Sequence, residues 1–303
     1  MTIRISKSGK STLTVETPVM NATGILGFGD QYRDLIDLSK LGAFVTNPIT
    51  YAPWSPATGT RAIPMDSGML LHTGLPNPGA KKIIAHNREV WAKLGVPVIA
   101  HIVAHSPEDM ASCVRIVDRE EAISAIEIGL ADDISPAEVE WFLHAALQRT
   151  EKPVLARLAF NSTSEHAKAA IDAGASALVA YAPPRGTARD RRGILTAGRL
   201  YGPMIKPLVL RMVGQLVRAL PHLPIIACGG IHSPQDARDF IEAGATAVQV
   251  DSAVWISPRV IETIATDLGG TMSTQRHDHG SVDDAGDSEI RSYFLGKALD
   301  KKS

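Results

Sequence analysis

Short runs of apolar, often β-branched residues alternate along the chain with stretches in which apolar residues recur every three to four positions. Most of the short runs are almost wholly apolar, which is typical of strands buried on both faces in a parallel sheet. Eight runs therefore predict eight strands, at residues 18–22, 43–46, 96–102, 125–128, 153–158, 177–181, 224–228 and 247–250.

The intervening stretches carry the periodicity of amphipathic helices. They predict helices at residues 31–41, 107–119, 136–149, 164–173, 206–220, 234–243 and 258–268. Several begin with Ser-Pro, an N-cap followed by a proline suited to the first helical turn. Eight strand-then-helix units without a break in composition favour a single α/β domain, a (β/α)8 TIM barrel, over an open doubly wound sheet.

Three segments interrupt this rhythm. Residues 48–79 follow the second strand and residues 183–203 follow the sixth, and both are predicted to be long loops that carry function. Residues 269–303 are polar and rich in Asp, Gly and Ser, until residues 290–299 present a possible end helix. The predicted organisation is a barrel domain over residues 1–268 and a polar C-terminal tail over residues 269–303.

Composition narrows the possible partners. The 303 residues carry a net charge of −1, so the chain lacks the basic excess of a nucleic-acid-binding protein. Apolar runs are too short to span a membrane. The two cysteines, Cys113 and Cys228, are too few for a disulfide framework and lack zinc-ligand spacing, so we expect reduced thiols, no bound metal and a cytoplasmic location.

The strongest local signal for chemistry lies where the last two predicted strands end. Gly229 and Gly230 follow the seventh strand, and Asp251 and Ser252 follow the eighth. At this end of a barrel, glycines allow backbone N–H groups to approach a phosphate near a helix N-terminus. We call these four residues the phosphate cup. The alternative is that the glycines only form a tight strand-to-helix turn.

Four further motifs make the chain resemble the class 1 dihydroorotate dehydrogenases over about residues 18–268. They are PVMNATG at 18–24, GML at 68–70, GLPNPG at 74–79 and GPMIKPLVLRMV at 202–213. With the two terminal strand motifs, they occur in the order found in that family. The resemblance implies a barrel that binds FMN and oxidises dihydroorotate to orotate.

Carried over to this chain, the resemblance implies particular roles for single residues. The phosphate cup would hold the FMN phosphate, and the GLPNPG segment would lie beside the substrate. Residues implied at the cofactor are Ala22, Thr23, Gly24, Asn47, Arg157, Gly202, Gly229, Gly230, Asp251 and Ser252, and those at the substrate are Thr73, Gly74, Leu75 and Arg185. Arg185 belongs to an arginine-rich segment that either clamps an anion or forms a solvated lid.

Some of these positions depart from the family pattern. Asn47 and Arg157 stand where the family has lysines near the flavin, although Arg157 keeps the positive charge. Asp251 replaces a glycine beside the phosphate and would repel it unless its side chain turns away or is protonated.

The substrate side departs further. The catalytic cysteine or serine motif after the fourth strand is absent, and Leu71 replaces a substrate-binding asparagine. Each lost hydrogen bond would cost about 1 to 3 kcal/mol. The sequence therefore predicts a small organic substrate other than dihydroorotate.

Three residues are candidates for proton transfer: Asp132, Asp133 and His101. The aspartates could instead supply negative charge at a helix N-terminus, and the histidine could simply be a hydrogen-bonded rim residue. The leading interpretation is an FMN-dependent oxidoreductase. We expect its partners to be a second copy of the chain and an electron-transfer chain. A non-redox lyase or isomerase and a catalytically silent barrel subunit remain the alternatives.

Overall fold

The computed structural model describes residues 2–7 and 11–271. The described residues form fourteen strands: β1 (Ile3–Arg4), β2 (Thr14–Val15), β3 (Val19–Asn21), β4 (Phe44–Val45), β5 (Ala62–Met65), β6 (Gly68–Leu71), β7 (Val98–Ile102), β8 (Ile123–Gly129), β9 (Val154–Arg157), β10 (Ala177–Ala180), β11 (Arg185–Arg189), β12 (Leu195–Tyr201), β13 (Ile225–Cys228) and β14 (Ala247–Val250). The α-helices are α1 (Ala80–Trp91), α2 (Pro107–Asp118), α3 (Pro136–Leu147), α4 (Ser164–Asp172), α5 (Lys206–Ala219), α6 (Pro234–Glu242), α7 (Ala253–Ile256) and α8 (Val260–Thr271).

Eight of the strands form a parallel sheet that closes into a barrel. Their order is β3-β14-β13-β10-β9-β8-β7-β4. The ends of this order meet where Met20 pairs with Ala43 in a parallel bridge and the Gly42 N–H donates to the carbonyl of Val19 at 2.8 Å. Seven predicted strands each contain one barrel strand, and the one predicted at residues 125–128 lies within the longer β8, so the (β/α)8 architecture is confirmed.

The helices begin where the sequence signals indicated. Ser106, Ser135 and Ser233 are the N-caps of α2, α3 and α6, and each side chain accepts a hydrogen bond from a backbone N–H of the first turn. A proline follows each of these serines, where its missing N–H has no helical partner to lose. The caps therefore fix where three helices leave the carboxyl ends of the barrel strands.

The helix predicted for residues 31–41 is wrong. That segment forms turns and one 3-10 helix, Leu38–Lys40, which Asp37 caps by accepting from the N–H and hydroxyl of Ser39. Such local side-chain bonds compete with an α-helix. Helix α1 was missed, although Ile83, Asn87 and Trp91 follow helical spacing and are buried.

The two segments predicted as long loops are also corrected. They form a second, antiparallel sheet in the order β11-β12-β6-β5. Strand β12 pairs with β6 through Arg199 and Leu71, Leu200 and Leu70, and Tyr201 and Met69. The insertions leave the barrel after β4 and β10, so this sheet lies at the end where the parallel strands have their carboxyl termini.

The predicted boundary at residue 268 falls inside α8, which continues to Thr271. The predicted end helix at residues 290–299 lies outside the described residues, so the division into barrel and tail stays a prediction. Across the described ranges, no helix is long and apolar enough to cross a membrane.

Candidate active site

A network of buried polar side chains fills the barrel interior, and Glu127 of β8 is at its centre. The Glu127 carboxylate lies 2.8 Å from Nδ1 of His101 and accepts a 2.6 Å hydrogen bond from Nε2 of Gln249. Nη1 of Arg157 lies 3.5 Å from the same carboxylate and donates to Oε1 of Gln249 at 2.6 Å. Four strands, β7, β8, β9 and β14, thus each contribute one polar group to one cluster.

The second guanidinium nitrogen of Arg157 faces β10 and β13. It donates to the carbonyl of Tyr181 at 3.4 Å and contacts Sγ of Cys228 at 3.1 Å. Burial raises the pKa of Cys228 to about 12, so its sulfur contacts Arg157 as a neutral thiol. Arg157, which is only 3% exposed, therefore holds a fixed positive charge in the barrel interior.

Glu127 is fully buried, yet it is ionised. Burial alone would raise its pKa, but the hydrogen bond from His101 and the positive charge of Arg157 outweigh burial and hold the pKa below its ordinary value. An ionised Glu127 can only accept a hydrogen bond, so Nδ1 of His101 carries the proton that is donated to it. The imidazole is consequently held in one orientation, with Nε2 directed away from Glu127.

Gly129 makes room for that imidazole. A Cβ at this position would lie 2.8 Å from Nε2 of His101, and hence too close. Within the described part of the chain Nε2 has no hydrogen-bond partner. With Nδ1 anchored to Glu127, Nε2 is the ring nitrogen left to face a ligand, the arrangement that a carboxylate–histidine pair creates in many hydrolases.

The other two candidates for proton transfer lie elsewhere. Asp132 is clamped between Nε of Arg185 at 2.6 Å and Nη1 of Arg199 at 2.7 Å. We call these three residues the Asp132 latch, because they join the β8–α3 connection to the antiparallel sheet. Each carboxylate oxygen of Asp132 is therefore already bound to a guanidinium group. Asp133 is exposed and lies outside the polar network.

The segment expected beside the substrate is an exposed turn. Thr73, Gly74 and Leu75 all lie at the surface, and the Thr73 hydroxyl accepts from the Leu75 N–H at 3.2 Å. A Cβ at Gly74 would lie 2.5 Å from the backbone nitrogen of Ala57. The buried side chain of Asn77 anchors the segment, because its Oδ1 accepts a hydrogen bond from the Thr50 hydroxyl at 2.8 Å.

The residues expected beside the flavin ring line the ends of β3 and β4. The Ala22 N–H donates to the carbonyl of Val250, and the Thr23 hydroxyl donates to the carbonyl of Thr46, both at 2.8 Å. Gly24 has a φ of 82°, and a Cβ there would point into open space. Oδ1 of Asn47 is buried without a hydrogen-bond partner.

Glycines at the ends of β12 and β13 allow close approach of backbones. A Cβ at Gly230 would lie 2.5 Å from the backbone nitrogen of Lys206, and one at Gly202 would lie 2.3 Å from the carbonyl oxygen of Ser67. Gly229 and Gly230 are buried. Across the described ranges, the Gly230 N–H has no backbone hydrogen-bond acceptor.

The other half of the phosphate cup comes from β14. Asp251 and Ser252 are buried, and Oδ1 of Asp251 accepts from the Ser252 N–H at 2.6 Å and from its hydroxyl at 3.1 Å. Nε2 of His232, from the β13–α6 connection, lies 3.2 Å from the same hydroxyl. The structure thus brings the four residues of the predicted cup together.

Sequence reasoning missed Glu127 and Gln249. Their signal was available, because each is a polar residue within an apolar run predicted to be a buried strand. A buried ionisable group needs a partner of opposite charge or a hydrogen bond, so such a position implies a polar cluster inside the barrel. In the described ranges, no group of three His, Cys, Asp or Glu side chains is arranged to hold a metal ion.

A closed (β/α)8 barrel with ionisable groups and an unpaired backbone N–H at the carboxyl ends of its strands belongs to the class of barrel enzymes. The family model described as dihydroorotate dehydrogenase matches residues 9–272. The chain belongs to the dihydroorotate dehydrogenase family, a family of oxidoreductases, and the resemblance expected from its motifs is confirmed.

Bacterial relatives agree with this assignment. The chain is similar to the protein named dihydroorotate dehydrogenase B (NAD(+)), catalytic subunit, of Pelobacter propionicus, with 35% identity over 84% of this chain and 88% of that protein. The protein of the same name from Trichlorobacter lovleyi is 34% identical over 84% and 89% of the two chains. That from Geotalea uraniireducens is 32% identical over 91% and 96%.

Proposed function

We propose that the protein is an FMN-dependent oxidoreductase of the dihydroorotate dehydrogenase type, acting on a small organic substrate other than dihydroorotate. The observation that carries the proposal is the unpaired backbone N–H of Gly230, which is buried beside Gly229 at the carboxyl end of a barrel strand. Buried N–H groups in folded proteins nearly always have an acceptor, so this amide points to an anionic ligand. Family membership supports a flavin phosphate as that ligand.

Other groups fit the rest of an FMN molecule. The open space above Gly24 leaves room for a planar ring, and buried Oδ1 of Asn47 can accept a hydrogen bond from a ring N–H. Arg157 supplies positive charge that can stabilise a reduced, anionic flavin. At Gly202, by contrast, the carbonyl oxygen of Ser67 leaves no room for a Cβ. This contact explains the glycine without a cofactor.

The flavin would supply the chemistry of accepting a hydride from a carbon–hydrogen bond of the substrate. The proton that must also leave is taken by Nε2 of His101 in our proposal. Glu127 acts through His101 as a positioning residue, since it holds the ring orientation and stabilises the imidazolium that forms. General-base catalysis of this kind contributes about 10²- to 10⁴-fold to a rate.

The connection after β8 argues against dihydroorotate. Only residues 130–135 separate β8 from α3, and they contain neither cysteine nor a free serine. The hydroxyl of Ser135 is committed to capping α3, because it donates to Glu138 at 2.6 Å and accepts from the Glu138 N–H. Leu71 lies in β6 and offers no hydrogen bond to a polar ring. We therefore expect a less polar substrate to bind at this end of the barrel.

Electrons must leave the flavin after each turnover. The relatives are named catalytic subunits, which supports a second, electron-transferring chain as partner. Cys113 and Cys228 are both buried and occur on α2 and β13, so they do not form the cluster that would hold iron and sulfur. Self-association remains a further prediction from the sequence.

Anaerobic reduction of the FMN-loaded protein tests this proposal. Dihydroorotate and a panel of less polar cyclic amides, hydroxy acids and enoates are each mixed with the protein while flavin absorbance is followed. We expect another compound to bleach the flavin at least about 100-fold faster than dihydroorotate does, since several substrate hydrogen bonds are lost. Fastest reduction by dihydroorotate would contradict the proposed substrate class, and no reduction by any compound or by a chemical reductant would contradict the redox function.

The role of His101 is tested in the same assay with a matched pair of variants. His101→Asn should retain bound flavin but slow its reduction by the best substrate about 100-fold or more. His105→Asn is the control, because His105 is exposed and stacks on Trp54 with ring centroids 4.2 Å apart. Equal rates for the two variants would show that His101 is not the proton acceptor.

A further inference from the structure

Asp251 is a buried acid with one oxygen that has no partner. The residue is 1% exposed. Its Oδ1 accepts from the N–H and the hydroxyl of Ser252, whereas its Oδ2 is buried and has no hydrogen-bond partner. Since the unpaired N–H of Gly230 belongs to the same cup, the free oxygen marks a place where a ligand can bind.

Charged and titratable groups from several elements face this carboxyl. His232 lies on the β13–α6 connection, Arg157 on β9, Cys228 on β13 and Tyr201 on β12. The cations among these favour an ionised Asp251. Burial opposes them and has the larger effect, so the pKa of Asp251 lies above its ordinary value.

The hydrogen bonds around Ser252 assign different roles to the two carboxyl oxygens. The Ser252 hydroxyl donates to Oδ1, so it can accept a hydrogen bond from Nε2 of His232. Oδ1 therefore acts as the carbonyl-like acceptor of the group. If the acid carries its proton, that proton resides on Oδ2 and makes this oxygen a donor.

A phosphate beside an ionised Asp251 would be repelled, whereas beside a protonated one it would gain a hydrogen bond. We propose that Asp251 is a neutral carboxylic acid whose Oδ2 donates a hydrogen bond to the phosphate of the bound flavin. The inference rests on the proposed FMN function. A phosphate site made only of backbone N–H groups does not titrate. The phosphate cup, in contrast, would bind phosphate with an affinity that depends on the proton of Asp251.

The direction of the pH dependence follows from this role. Phosphate affinity is complete while Asp251 is protonated and is lost as the pH rises through the pKa of Asp251 in the complex. Riboflavin lacks the phosphate, so its binding should not follow Asp251. The ratio of the riboflavin Kd to the FMN Kd therefore isolates the contribution of the phosphate.

The test measures both dissociation constants from about pH 5.5 to about pH 8.5, using quenching of flavin fluorescence by the full-length apoprotein. Asp251→Asn keeps a donor but cannot ionise. At the acidic end we expect the ratio of the wild-type protein and of this variant to agree within about threefold. At the basic end the ratio should be about tenfold larger in the variant, which corresponds to one charge-assisted hydrogen bond.

His232→Gln separates the two groups of the cup that can titrate. If Asp251 is the source, this variant keeps the wild-type dependence on pH. The phosphate group itself has a second pKa of about 6. It titrates identically with every variant, so its effect on the ratio cancels when the variants are compared. Thermal unfolding of each apoprotein verifies that the variants are folded before binding is measured.

Three results would overturn the inference. Parallel pH profiles for the wild-type protein and Asp251→Asn would show that Asp251 makes no proton-dependent contact with phosphate, while FMN binding itself stands. A profile that becomes flat only in His232→Gln would transfer the role to His232. If the wild-type protein binds neither flavin at any pH, the proposed function fails and the inference fails with it.

Discussion

At the scale of single residues, the polar interior of the barrel depends on one carboxylate within an apolar strand. Glu127 lies between Ile126 and Ile128 of β8, and its partners come from β7, β9 and β14. A buried ion pair is weak evidence for net stability, because desolvation offsets much of the attraction. Removal of one partner is a different matter, since the remaining charge stays buried.

Replacement of Glu127 by Gln should therefore destabilise the protein. We expect a loss of about 3 kcal/mol in the free energy of unfolding near neutral pH, because Arg157 keeps a buried charge without its partner. Urea unfolding measures this quantity. Glu89→Gln, an exposed change on α1, is the control and should stay within about 0.5 kcal/mol of the wild-type protein.

The effect should also depend on pH. The pKa of Glu127 is lower in the folded than in the unfolded state, so its stabilising contribution is present above the unfolded-state pKa and is lost as the pH falls through the folded-state pKa. The difference between the wild-type protein and Glu127→Gln should accordingly shrink on acidification below about pH 4.5. A difference that stays constant with pH would mean that Glu127 is not ionised in the folded protein.

Residue types showed part of this site in advance. Gly229 and Gly230 could be singled out because a glycine pair at a strand end is visible in sequence, whereas Arg157 was implied by the resemblance to the dihydroorotate dehydrogenases. The pairing of His101 with Glu127 could not, since it joins two strands through side chains whose directions the sequence does not give. For the same reason, the sequence raised the question of how Asp251 tolerates a phosphate but left it open.

At the scale of secondary-structure elements, the sequence predicted strands defined by a local apolar pattern better than strands defined by pairing between distant segments. The eight barrel strands were predictable because each is a continuous apolar run buried on both faces. The antiparallel sheet was not, because β6 and β12 come from insertions separated by four barrel strands in the chain. Neither insertion has a buried face until it meets the other and the barrel.

The seam between these insertions should depend on Gly202. Its φ is 142°, and a Cβ would lie 2.3 Å from the carbonyl oxygen of Ser67 in the β5–β6 turn. Gly202→Ala should thus cost about 3 kcal/mol or more, through backbone strain and steric overlap together. Urea unfolding gives the cost, and hydrogen exchange at β6 and β12 locates it.

Gly59 provides the matched control. Its φ of 78° is also unfavourable for alanine, but a Cβ there would meet nothing within 4 Å. Gly59→Ala should therefore cost only about 1 to 2 kcal/mol, the conformational penalty alone. Equal costs for the two variants would show that contact between the Gly202 region and Ser67 does not hold the insertions together.

At the scale of the whole molecule, the antiparallel sheet lies at the carboxyl end of the barrel strands, the same end as the phosphate cup. The Asp132 latch joins this sheet to the connection after β8, and the phosphate cup lies at the ends of β13 and β14. In the proposed function, the phosphate, the ring and the substrate would bind at separate places along the carboxyl ends of the strands. Net charge of −1 leaves the overall surface neutral, so selectivity for an anion must come from the local groups of the cup.

The flavin content of the purified protein shows whether FMN binds at the carboxyl end of the barrel, as proposed. The absorption spectrum is recorded near pH 6, with and without added FMN, and the flavin is then released by denaturation and quantified against the protein. We expect a yellow protein that holds one FMN per chain after excess cofactor is removed. A folded but colourless protein that takes up no added FMN would contradict the account.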